Sequence, residues 1–153
     1  MNRKWTVDTY VLYQAAHLNF NAIKFLIFID DEEDIIVLDH DKYIDTEYTN
    51  CIEKLKSEYF WGRTFVSEWF IRIVKKSAFR RYCGDLDKRH KNALKELNFH
   101  NDDWPFVAVC SCTTNKNLVS EESDYDNEVK EYLQEKMEVH VLSIQDSLNL
   151  YKQ

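Results

Sequence analysis

Ile35-Ile36-Val37-Leu38 constrains the fold more than any other stretch. It is apolar at four consecutive positions and β-branched at three of them. Side chains alternate between the two faces of a strand, so a strand with this pattern must be covered on both faces. Antiparallel sheets with one wet face show alternation instead. The run therefore predicts a central strand of a parallel sheet with helices above and below it. Trp5-Thr6-Val7, Leu118-Val119 and Val139 to Leu142 read as further short strands, and helical periodicity fills the intervals. The expected fold is α/β: a three-layer α/β/α sandwich with a mainly parallel central sheet, one domain spanning 1–153.

The chain can be taken in order. Asp8-Thr9 ends the first strand and Tyr10 to Leu18 continues with helical spacing. Asn21 reads as the N-cap of a second helix reaching Ile29. Asp30 to Asp34 reads as a polar loop. Asp39-His40-Asp41 breaks the central strand, and Lys42 to Tyr59 reads as one helix. Trp61-Gly62 separates it from a helix whose stripe is Phe65-Val66, Trp69-Phe70 and Ile73-Val74. Phe79 to Asp87 reads as an irregular basic connection, and Asp87 to Leu97 as a short helix. Asp103 reads as the N-cap of a helix with Pro105 in its first turn. Tyr125 to Gln134 reads as a helix, and Ser143 as the cap of a last helix, Ile144 to Leu150. With only two Gly and one Pro to punctuate the chain, long helices are expected.

Several classes are disfavoured. Phe25 to Ile29, the longest apolar run, is too short to span a bilayer, so no membrane partner is expected. Met1 to Asn21 has no apolar core of a secretory signal, and the expected setting is cytoplasmic. The four scattered cysteines (Cys51, Cys83, Cys110 and Cys112) suit free thiols and lack the paired spacing of a zinc site. The net charge of −7 opposes a nucleic-acid partner until its distribution is read. Ten of the twenty Lys and Arg, but only three of the acids, lie between Arg63 and Lys95. A basic third beside acidic thirds can offer phosphates one face and a cation another. Lys75, Lys76, Arg80 and Arg81 are the candidate phosphate contacts of a nucleic acid, against the plainer alternative of a solvated helix face.

Four separate segments end in acid: Asp8, Glu47, Asp103, and Glu122 with Asp124. Three of them follow or adjoin predicted strands. Like charges gathered at one sheet edge cannot all stay ionised without a cation. Carboxylates are the preferred ligands of hard divalent ions, which points to Mg²⁺ or Mn²⁺. For Asp103 a capping role is the structural alternative, and for Glu47 a surface position is.

At these residues the chain resembles the PIN-domain family. Val7-Asp8-Thr9-Tyr10 is similar to its first motif, a hydrophobic strand ending in Asp-Thr. Asp39-His40-Asp41-Lys42-Tyr43-Ile44-Asp45-Thr46-Glu47-Tyr48 resembles the segment that carries the second acid in a Glu-Tyr pair. Asp103-Trp104-Pro105-Phe106-Val107-Ala108 resembles the third motif, and Leu118-Val119-Ser120-Glu121-Glu122-Ser123-Asp124-Tyr125 the fourth. PIN domains are metal-dependent ribonucleases, many of them toxins of bacterial toxin–antitoxin pairs. The resemblance implies Asp8, Glu47, Asp103 and Glu122 or Asp124 as metal ligands and catalytic residues. Thr9 and Ser120 would support them, Ser120 standing where the family has Thr. It implies RNA as substrate, with a protein antitoxin and a second copy of the chain as partners. One departure is Glu122, where the family has Asp. A PIN scaffold that binds RNA or protein without cutting is the alternative. A receiver-like or nucleotide-binding domain is disfavoured, because no Gly-rich loop follows the first strand.

Overall fold

A computed structural model describes residues 2–152. Its elements are β1 (Lys4–Val7), α1 (Thr9–Ala16), α2 (Phe20–Asp31), β2 (Ile35–Asp39), α3 (Tyr43–Glu53), α4 (Phe60–Lys75), β3 (Phe79–Tyr82), α5 (Lys88–Glu96), α6 (Trp104–Ser111), β4 (Asn117–Val119), α7 (Asn127–Met137), β5 (His140–Leu142) and α8 (Ile144–Leu150). The five strands form one parallel sheet in the order β3-β2-β1-β4-β5. Helices α1, α2, α4 and α8 pack on one another, while α6 packs on β1, β2 and β4 and α7 on β5. This is the expected three-layer α/β/α sandwich. Ile36, Val37 and Leu38 have no exposed surface, which is why that run carries no polar residue. Among the described residues, no helix is long and apolar enough to cross a membrane.

The sheet order fixes where a site can form. From β1 the chain steps to β2 and β3, then crosses back to place β4 on the other side of β1. The direction of winding reverses between β1 and β4, and in open parallel sheets the crevice beyond the strand ends at such a point receives ligands. Val7 is paired with Val119 and Val119 with Leu142. Asp8 and Ser120 are thus the first residues beyond two neighbouring strands.

Several boundaries differ from those predicted. Asn19, not Asn21, caps α2 by accepting from the Ala22 N–H. The helix runs on through Asp30 and Asp31, shortening the polar loop. The stretch read as one helix from Lys42 to Tyr59 is α3 followed by a separate 3-10 turn, Ser57–Tyr59. Gly62 does not break a helix but lies inside α4. A Cβ there would sit 1.8 Å from the Ala16 carbonyl oxygen, so glycine is what lets α1 and α4 touch. The basic connection contains β3, an edge strand paired with β2. Asp126 caps α7 and leaves Tyr125 buried ahead of it.

Scarce glycine does not make the helices long as a group: they run from 7 residues in α8 to 16 in α4. They end without glycine. Leu18, Glu33, Ser77, Asn98 and Glu138 take left-handed backbone angles, with φ between 53° and 63°, just past the ends of α1, α2, α4, α5 and α7. At α4 the Ala78 N–H donates to the Ile73 carbonyl and Ser77 N–H to that of Val74. This bond pair closes a helix end and is usually built on Gly. Trp69 joins α4 to α2: its ring is fully buried and its indole N–H donates to the Leu26 carbonyl at 2.8 Å. A buried aromatic of this size contributes roughly 2–3 kcal/mol.

Candidate metal centre

Asp8 is held in place by its backbone. Its N–H donates to the Val119 carbonyl at 3.0 Å, extending the β1–β4 ladder by one residue. Its carboxylate does not cap α1. Instead Oδ2 accepts from the Ser120 hydroxyl at 2.6 Å. Ser120 in turn donates its N–H to Leu142 and accepts at Oγ from the Glu122 N–H at 3.1 Å. One hydroxyl therefore positions Asp8 and the turn that carries Glu122.

Asp103 arrives from the other side of the crevice. It closes a 3-10 turn, Asn101–Asp103, at the start of α6. The capping role predicted from sequence is not what it does, since its side chain makes no cap hydrogen bond. It turns toward Asp8 and stands within hydrogen-bond reach of Asp124. Asp8, Asp103 and Glu122 each offer an oxygen within 4.8 Å of the others. They line a cleft of about 550 Å³, whose walls also include Thr9, Tyr10, Tyr13, Glu47, Cys51 and Asp124.

The electrostatics follow from burial. Asp8 is 2% exposed and Asp103 9%. Desolvation pushes the Asp8 carboxyl up to about 7, with Glu122 and Asp124 adding to the rise and the Ser120 bond opposing it. Desolvation pushes Asp103 up to about 8, helped by the charge of Asp8 and the bond to Asp124. Glu122 is raised too, by burial and by Asp124. Carboxyls in this position hold protons unless a cation replaces them. The donors are all oxygen, and the buried Thr9 hydroxyl has no protein partner. That set could hold a hard divalent cation such as Mg²⁺ or Mn²⁺.

Not every predicted residue joins the cluster. Glu47 lies on the cleft wall, outside the three-carboxylate group, its charge close enough to Tyr43 to help burial push the phenol up. Asp39, a buried acid at the end of β2, is used up as a cap: its two oxygens accept from the Tyr43 and Ile44 N–H groups at 2.9 and 2.8 Å. Lys75 and Lys76 end α4 just before β3, so they lie at the opposite end of the sheet. Lys76 pairs with Asp30 at 2.9 Å. Arg81 forks onto Asp45 at 2.8 and 2.9 Å, and Arg80 is an exposed residue of β3. Tyr10 and Tyr13 also line the cleft, and the signal for them in the sequence is their three-residue spacing, which puts both on one side of α1. Comparison with protein-family models, curated proteins and solved structures gave no match.

Proposed function

We propose that the chain is a metal-dependent endoribonuclease of the PIN type, cleaving RNA phosphodiesters with Mg²⁺ or Mn²⁺. One observation carries the reading: carboxylate oxygens of Asp8, Asp103 and Glu122 lie within 4.8 Å of one another at the winding reversal of a parallel sheet. Bound there, a divalent ion supplies a Lewis acid and lowers the pKa of an attacking water. Asp8, Asp103 and Glu122 would hold it, with Asp124 steadying Asp103. Ser120 fixes the Asp8 carboxylate and, through the Glu122 N–H, the third ligand. Glu47, on the wall, is placed to orient water or substrate across the cleft. A toxin role, a protein antitoxin, a second copy as partner and a cytoplasmic setting belong to the same proposal.

The alternative is a scaffold that binds RNA or protein without cutting it, motivated by Glu122 in place of Asp. Glu122 nevertheless reaches the other two carboxylates, which favours cleavage. Structured and unstructured RNAs incubated with the purified protein and Mg²⁺, Mn²⁺ or EDTA test the proposal. Cleavage with either ion, abolished by EDTA, is expected. No cleavage with either ion overturns it.

A further inference from the structure

Three aromatic rings leave the acidic cleft as a continuous run. Tyr13, on the cleft wall and 49% exposed, lies 4.0 Å from His17, ring centre to ring centre. His17 lies 4.2 Å from Tyr59. Tyr13 and His17 share a face of α1 by their four-residue spacing. Tyr59 is brought to them by the 3-10 turn and by the close approach of α1 and α4 at Gly62. The His17 ring is fixed, since Nδ1–H donates to the Tyr13 carbonyl at 2.8 Å. Beyond Tyr59, Phe60 and Trp61 extend into solvent, 59% and 77% exposed.

The charge beside this run selects the ligand. Residues 54–63 hold Lys54, Lys56 and Arg63, all exposed, against a single acid, Glu58. None of the three cations has a carboxylate partner among the described residues. Arg72, Lys76, Arg81, Lys91 and Lys116 all have one. In a chain of net charge −7, three free cations beside exposed rings suit a polyanion that has flat faces to stack. A duplex hides its base faces, whereas a single strand offers them.

We infer that Tyr13 and Tyr59, held apart by the His17 ring packed between them and flanked by Lys54, Lys56 and Arg63, form a stacking track that leads single-stranded nucleic acid into the acidic cleft. The inference rests on the nuclease reading for what happens at the end of the track, but binding along it needs no cleavage. Stacking of a base on an aromatic ring is tolerant of sequence, so the track selects strandedness.

Fluorescence anisotropy in EDTA with a labelled oligouridylate, and with the same length of RNA duplex, measures the track without turnover. The single strand should bind and the duplex should bind far more weakly. Tyr13→Ala with Tyr59→Ala should weaken single-strand binding about tenfold or more, while Tyr13→Phe with Tyr59→Phe should leave it unchanged. In the unaltered protein, photo-crosslinking of an oligonucleotide carrying 5-iodouridine should label peptides spanning 10–17 and 54–63. Equal binding by the Ala variant, preference for the duplex, or crosslinks confined to other peptides would overturn the inference. Those results would leave metal-dependent cleavage standing, and loss of cleavage with an intact track would remove the nuclease reading alone.

Discussion

The Ser120 hydroxyl donates to Asp8 Oδ2 at 2.6 Å across the ends of two neighbouring parallel strands, and accepts from the Glu122 N–H on its other side. It is the hinge pin between two carboxylates that sequence separates by more than a hundred positions. Its removal leaves both ligands in place but loosely aimed. Ser120→Ala should therefore weaken Mn²⁺ binding about ten- to a hundredfold, the usual cost of losing a residue that orients a ligand. Ser120→Thr keeps the hydroxyl and should stay near the parent. Calorimetric titration of Mn²⁺ checks this, and equal affinity in the Ala variant would show the bond to be incidental.

Asp8→Asn keeps the shape of the side chain and removes its charge. Metal affinity should fall, and RNA cleavage with it by orders of magnitude. Without metal the variant should be more stable than the parent, because one repelling carboxylate leaves the cluster. Glu122→Asp should also lose metal affinity. Glu122 already reaches Asp8 and Asp103, and a side chain one methylene shorter draws back. Full cleavage by Asp8→Asn, with contaminating nuclease excluded by a mock purification, would sink the metal reading.

Metal-free stability should depend on pH with a definite sign. Asp8 rises from 3.8 to about 7 on folding and Asp103 from 3.8 to about 8. Between these limits the native state binds more protons than the unfolded chain, so stability falls as pH rises from about 4 to about 8. A bound cation displaces those protons and removes the penalty. Thermal melts in EDTA should drop in midpoint between pH 5 and pH 8, and saturating Mn²⁺ should abolish the drop. A flat profile in EDTA would mean that the three carboxylates are further apart or wetter than their 4.8 Å grouping requires.

The sequence shows the layer order and the acids of the site more clearly than it shows where helices stop. Ile35 to Leu38 announces a sheet covered on both sides because burial on two faces leaves no room for alternation. Asp8 and Glu122 stand out because each follows a strand, and Asp103 because it stands at the start of the helix that Pro105 opens. Asp39 has the same signature and a different fate, since only the backbone shows that the N–H groups of Tyr43 and Ile44 take both its oxygens. Phe79 to Tyr82 escapes notice as a strand because Arg80 and Arg81 interrupt its apolar pattern. At an edge, Arg81 can satisfy itself by folding back onto Asp45.

Helix ends are illegible for a related reason. Scarce glycine implies long helices only if helices need glycine to stop. Here Ser77, at φ 53°, stops α4 with a side chain in the left-handed region, as Leu18, Glu33, Asn98 and Glu138 do for other helices. That conformation costs a non-glycine residue roughly 1–2 kcal/mol, part of which glycine returns as unfolded-state entropy. Ser77→Gly should raise stability by about 0.5–1 kcal/mol. Asn98→Gly should raise it less, since Asn tolerates this region. Denaturant midpoints at unchanged slope test both.

The salt dependence of RNA binding should locate the phosphate contacts. Lys76 and Arg81 are engaged by Asp30 and Asp45, and Lys75 lies at the far end of the sheet from the cleft. Replacing Lys75, Lys76, Arg80 and Arg81 with Ala should leave the slope of log affinity against log salt unchanged. The same set should cost about 1–2 kcal/mol of stability, chiefly through the lost fork between Arg81 and Asp45. Lys54, Lys56 and Arg63 have no such engagement. Each phosphate contact on a single strand adds about 0.7 to the slope, so removing these three should flatten it by about 2. A slope that flattens with the first set and not with the second would move the nucleic-acid path from the α1–α4 rim to the β3 edge.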